Sequence, residues 1–180
     1  MTPEQCSPKL ISIKEAAQEQ KVIIVFDNCL RIAPAKENLL SCQEISNSLT
    51  GGTYSPIRIL IVDEDTIARP LRHLFEASGC SADYVSNGVD AWSLLSDCKY
   101  DLIIMEMRIP GINGLELLRM MHKLYSHPAA IMMMDGRFPA IESVAESLGV
   151  DGFFYKPFSL TSLCDYAVDL LKAQAELLKA

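Results

Sequence analysis

An α/β fold built on a parallel sheet is what this chain predicts from Ile57 onward, on three observations. Short aliphatic runs alternate strictly with segments whose apolar residues recur at helical spacing. The links between them are short, as in consecutive βα units. Several of the runs are continuously apolar, as strands buried on both faces must be.

Each element can be justified in turn. Ile57 to Val62 (IRILIV) reads as the first strand, and Thr66 to Gly79 as a helix carrying Ile67, Leu71, Leu74 and Phe75 and closing on glycine. Pro70 is placed near the first turn of that helix, where proline is tolerated. Ala82 to Val85 is a second strand and Gly88 to Leu95 a second helix. Leu102 to Glu106 is the third strand, followed by a helix over Gly114 to Leu124 with Leu115, Leu118 and Met121 on one side. Ala129 to Met134, Ala140 to Leu148 and Gly152 to Tyr155 give strand, helix and strand. Leu160 to Leu178 closes the chain as a long amphipathic helix.

Residues 1 to 56 form an N-terminal extension of a different texture, ahead of a domain spanning 57 to 180. Leu10 to Gln20 reads as a helix, Val22 to Phe26 as a strand and Lys36 to Ile45 as a helix. Ser46 to Ser55 (SNSLTGGTYS) reads as a linker. KVIIVFDN at Lys21 to Asn28 resembles RILIVDED at Arg58 to Asp65, a pattern that a degenerate repeat would leave but that short apolar strands followed by acids also produce by chance.

Composition excludes several classes. A net charge of −7 argues against a large nucleic-acid face, which requires a basic surface. Six scattered cysteines, without a CxxC pair or neighbouring histidines, read as reduced thiols of a cytoplasmic protein. The N-terminus has no apolar core of a secretory signal, and no run is long enough to span a bilayer.

In a parallel sheet, functional groups gather at the C-terminal strand ends. The first strand ends at Asp63, Glu64 and Asp65, the third at Glu106, the fourth at Met133 and Met134. The fifth runs through Phe153 into Lys156 and Pro157. Converging carboxylates repel one another and call for a cation, an ammonium or a proton. A solvated cluster of loop acids is the bland alternative for any one of them; four ionisable residues at strand ends favour a site. His73, beside Arg69 and Arg72, reads as an ordinary helix residue, and the methionine pairs as core filler.

ILIVDED (Ile59 to Asp65), DLIIMEMRIPGING (Asp101 to Gly114) and YKPF (Tyr155 to Phe158) together resemble the receiver domain of two-component response regulators, over about Ile57 to Leu178. The resemblance implies a flavodoxin-like, doubly wound five-stranded sheet in the order 2-1-3-4-5. It further implies a phosphoacceptor aspartate after the third strand and a magnesium ion held by that aspartate with an acidic pair, here Asp63 and Glu64. A lysine, here Lys156, would pair with the phosphoryl group.

The departures are informative. Glu106 stands at the acceptor position, one methylene longer than aspartate, which moves the carboxylate up to roughly 1.5 Å outward. Met134 stands where a Ser or Thr is expected, and Phe153 where the switching aromatic is usually Tyr. Arg108 lies where receivers offer a backbone carbonyl to magnesium, and its guanidinium could neutralise the acidic rim. The expectation is therefore an atypical, non-enzymatic receiver acting without phosphorylation through protein partners: a histidine kinase, a phosphorelay protein or a downstream effector. No cofactor is required, with at most a weak magnesium site at Asp63, Glu64 and Glu106. One alternative is a receiver that still accepts phosphate with magnesium. Another is a haloacid-dehalogenase-like phosphohydrolase using Asp63, Ser86 and Lys156, although Ile67 fits its motif poorly. The resemblance implies an output and dimer surface made by the fourth helix, fifth strand and fifth helix. The tail from Ala173 is long enough to join a partner helix, and in a homodimer the N-terminal extension either packs on the receiver or contributes to the dimer; neither nucleic acid nor membrane is an expected partner.

Overall fold

In a computed structural model, residues 10–15, 22–26, 29–33, 56–124 and 128–177 are described. The chain divides into two compact units, Met1–Leu39 and Leu40–Ala180. In the first, β1 (Leu10–Glu15), β2 (Val22–Phe26) and β3 (Cys29–Ala33) form an antiparallel sheet in the order β1-β2-β3. The helix expected over Leu10 to Gln20 is thus corrected to a strand at Leu10–Glu15. Ile13 pairs with Ile24, and that pairing overrides a local apolar spacing which also suited a helix. The antiparallel setting of β2 also separates it from its textural look-alike at Arg58, which lies between parallel neighbours. The helix expected at Lys36 to Ile45 and the linker at Ser46 to Ser55 lie outside the described residues.

The second unit follows the alternation read from the sequence. Its strands are β4 (Arg58–Val62), β5 (Ser81–Val85), β6 (Leu102–Glu106), β7 (Ala129–Met134) and β8 (Gly152–Tyr155). They lie in the order β5-β4-β6-β7-β8, every pair parallel, which is 2-1-3-4-5 counted within the sheet. The inner strands β6 and β7 are buried at every position because both faces are covered, whereas the edge strand β8 is only half-buried.

Alternation along β4 shows how the two cores arise. Ile59 and Ile61 point into one cluster with Leu71 and Phe75 of α1 (Asp65–Ala77) and Leu163 and Leu171 of α5 (Leu160–Leu177). Leu60 and Val62 point into the other, with Ala91 of α2 (Gly88–Asp97), Leu117 of α3 (Gly114–Met121) and Ala145 of α4 (Pro139–Ser147). A side-chain period of two thus feeds two helical layers.

Local corrections have local causes. Pro70 sits in the second turn of α1, not near the first, so the helix there forgoes one backbone hydrogen bond. α3 ends at Met121, and Leu124 is reached through a tightened turn in which the Lys123 and Leu124 amides donate to Met120 and Met121 carbonyls. Ala175, in the tail of α5 past Ala173, is buried. Cys80 is disulfide-bonded, against the expectation of reduced thiols, while Cys98 and Cys164 are free. Among the described residues no helix is long and apolar enough to cross a membrane.

Candidate functional site

Parallel strands deliver their C-terminal residues to one edge of the sheet, and four of them supply this site. Asp63 follows β4, Glu106 ends β6, Asp135 follows β7 and Lys156 follows β8. With Glu64, Thr66, Ser86, Arg108 and Pro110 they line a cavity of about 460 Å³. The loop after β6 is held down by its own chemistry. Gly111 takes a positive φ of 79°, and the Pro110 carbonyl accepts from the Gly88 amide at the start of α2.

Asp63 and Glu106 are 3% and 5% exposed, and they are the buried charged residues among those described. Two carboxylates taken out of water side by side would cost several kcal/mol without compensation. Lys156 supplies it. Its Nζ lies 3.0 Å from Asp63 Oδ2 and 2.7 Å from Glu106 Oε2. The remaining oxygens are met by backbone: Asp63 Oδ1 accepts from the Glu64 amide at 2.6 Å, and Glu106 Oε1 from the Arg108 amide at 3.1 Å. Glu106 Oε2 faces the ammonium at ion-pair distance but off the direction of a good hydrogen bond, so charge rather than directed bonding joins them. Burial pulls the Lys156 ammonium toward deprotonation. The two carboxylates it contacts, Glu106 and Asp63, outweigh that and hold its pKa above the ordinary lysine value.

Of the residues singled out in the sequence, Asp63, Glu106 and Lys156 come together. Glu64 is exposed at the start of α1 and makes no capping bond with its side chain. No group of three His, Cys, Asp or Glu among the described residues is arranged to hold a metal ion. Of the donors expected for magnesium, Asp63 and Glu106 share the Lys156 ammonium between them. Met134 is fully buried in the core cluster against which Phe153 and Tyr155 pack, and neither it nor Phe153 lines the cavity. Lys156 is tied to this strand through its amide, which donates to the Met134 carbonyl at 2.8 Å.

The Arg108 guanidinium pairs with Asp135, a further acid of the strand-end rim that lines the cavity. Asp135 was missed, although it carries the signature that marked Asp63 and Glu106, an acid directly at the end of a buried strand. His73 is exposed on α1 beside Glu76 and stands apart from the cavity lining.

Residues 59–168 match the response regulator receiver domain family. The chain belongs to that family. It is 31% identical over 110 residues to response regulator MprA of Mycobacterium sp. (strain KMS), covering 60% of this chain and 47% of that protein. To the aerobic respiration control protein ArcA of Escherichia coli (strain K12) it is 31% identical over 115 residues, covering 63% and 48%. The matched receiver region spans about half the length of these curated relatives. Among solved structures, a CheY-like receiver domain protein from Methanospirillum hungatei JF-1 superposes with a TM-score of 0.64 at 24% identity, covering 68% of this chain and 98% of that one. The receiver domain of a signal transduction histidine kinase from Syntrophus aciditrophicus gives 0.58 at 29% identity, covering 65% and 90%. The receiver match and the sheet order lend nothing to the phosphohydrolase alternative.

Proposed function

We propose that this receiver signals without phosphoryl transfer, held in one output state by a standing Glu106–Lys156 ion pair and acting through contacts with other proteins. The observation that carries the reading is the 2.7 Å approach of Lys156 Nζ to Glu106 Oε2, with Asp63 on the same ammonium. The lysine that a receiver reserves for an incoming phosphoryl group has its anion supplied by the chain itself.

The chemistry of acceptance is correspondingly poor. A carboxylate that attacks phosphorus needs a free lone pair placed in line with the leaving group. Glu106 has one oxygen on the Arg108 amide and the other against an ammonium. Met134 offers only a weakly accepting thioether where a hydroxyl would reach a phosphoryl oxygen. No step is assigned to magnesium.

A domain of this kind acts through its surface. The partner we infer is another protein of a two-component or phosphorelay system, or a second copy of this chain, in the cytoplasm. The net charge of −7 disfavours direct nucleic-acid binding. The reading is tested with beryllofluoride, a stable phosphoryl mimic, added with magnesium while amide NMR spectra are recorded. The amides of Phe153 and Lys156 are expected to stay in place. Saturable shifts at these amides would show a cavity still open to phosphoryl chemistry.

A further inference from the structure

Beyond Asp63, Glu106 and Lys156, the cavity carries a further ion pair. Arg108, in the loop between β6 and α3, pairs through its guanidinium with Asp135, in the loop between β7 and α4. The partners are 27 positions apart in sequence, and both line the cavity that holds Glu106 and Lys156. Arg108 is attached to the triad at its other end, since its backbone amide donates to Glu106 Oε1. One residue therefore grips the carboxylate with its main chain and the facing loop with its side chain.

We propose that the Arg108–Asp135 pair is a strap that positions Glu106 on Lys156 and limits access to the ammonium. The inference rests on the reading of Glu106 and Lys156 as a standing pair. Its logic is geometric. Releasing the guanidinium removes one tether of the loop whose amide fixes Glu106 Oε1, and so loosens the carboxylate that neutralises Lys156. Asp135 acts through Arg108 and is a positioning residue. The strap is solvent-exposed, its side chains 62% and 49% accessible. An exposed pair shifts such an equilibrium only modestly, by about two- to fivefold.

The test is competitive acetylation of the full chain with an amine-reactive acetyl ester, read at Lys156 by peptide mass, with exposed Lys99 and Lys123 as internal references. Asp135→Asn is expected to speed labelling of Lys156 about two- to fivefold while the references hold. The charge reversal Arg108→Asp with Asp135→Arg is expected to restore slow labelling. Should Asp135→Asn fold poorly, the wild type decides: raising salt from roughly 0.05 to 0.5 M screens exposed pairs and should speed Lys156 alone. A wild-type rate at Lys156 in folded Asp135→Asn, or no rescue by the reversal, overturns the strap. So does salt-independence at Lys156 in the wild type. Glu106→Gln separates the layers. Faster labelling there with none in Asp135→Asn rejects the strap alone; no acceleration in Glu106→Gln rejects the standing pair as well.

Discussion

Lys156 is the residue on which the site depends, because it is the cation that two buried acids share. Replacing it with methionine leaves Asp63 and Glu106 facing each other without a cation. Removing one partner of a buried pair costs roughly 3–5 kcal/mol. With Lys156 partly open to solvent, its side chain 23% accessible, the lower end of about 3 kcal/mol is expected for Lys156→Met in urea unfolding. A loss below about 1 kcal/mol would mean that the acids shed their charge at little cost. The pH dependence has a definite sign. The folded-state pKa of Lys156 is raised above its ordinary 10.5. Its contribution is thus fully present below that value and is lost as pH rises through the higher folded pKa. The stability gap between wild type and Lys156→Met should therefore hold steady from roughly pH 7 to 9 and shrink only above about 10.5. Much of this site was legible in the sequence, since Asp63, Glu106 and Lys156 each stand at the end of an apolar run. Asp135 carries the same signature and was overlooked; its pairing with Arg108, 27 positions away, is what no local pattern encodes.

At the scale of elements, α3 links the acceptor loop to the sheet. Its start is fixed by a capping box in which Asn113 accepts from the Glu116 amide and Glu116 reaches back to the Asn113 amide. Asn113→Ala should cost about 1 kcal/mol in chemical unfolding; a neutral result would show that the loop, not the cap, holds the helix. Gly114 permits that helix to lie against β6, for a Cβ there would meet the Glu106 carbonyl oxygen at 2.9 Å. α4 is held more loosely, with Ala145 its buried residue, whereas α1 buries Ala68, Leu71 and Phe75. Fewer buried anchors imply lower local stability. Hydrogen exchange should therefore be faster across α4 than across α1, and equal protection would contradict that ranking. The strands of the parallel sheet were readable because continuous apolar runs have few other homes. β1 was misread because LISIKE suits either period, and only pairing with β2 decides between them.

For the whole molecule, the described residues of both receiver core clusters lie at or beyond Ile57. A chain shortened to residues 57–180, kept under reducing conditions because of Cys80, should still unfold in a single cooperative transition by circular dichroism. Loss of that transition would show that the N-terminal extension is needed for the receiver to fold. Composition constrained the class of partner, and the alternation of runs constrained the architecture. The proposed output state rests on one contact, between Glu106 at the end of β6 and Lys156 just after β8, which becomes visible only once the chain is folded. That contact has one most direct test: incubation with acetyl phosphate and magnesium, read by intact mass. The account predicts that the wild-type mass stays unchanged. A phosphoryl adduct that appears on the wild type and disappears in Glu106→Gln would contradict it.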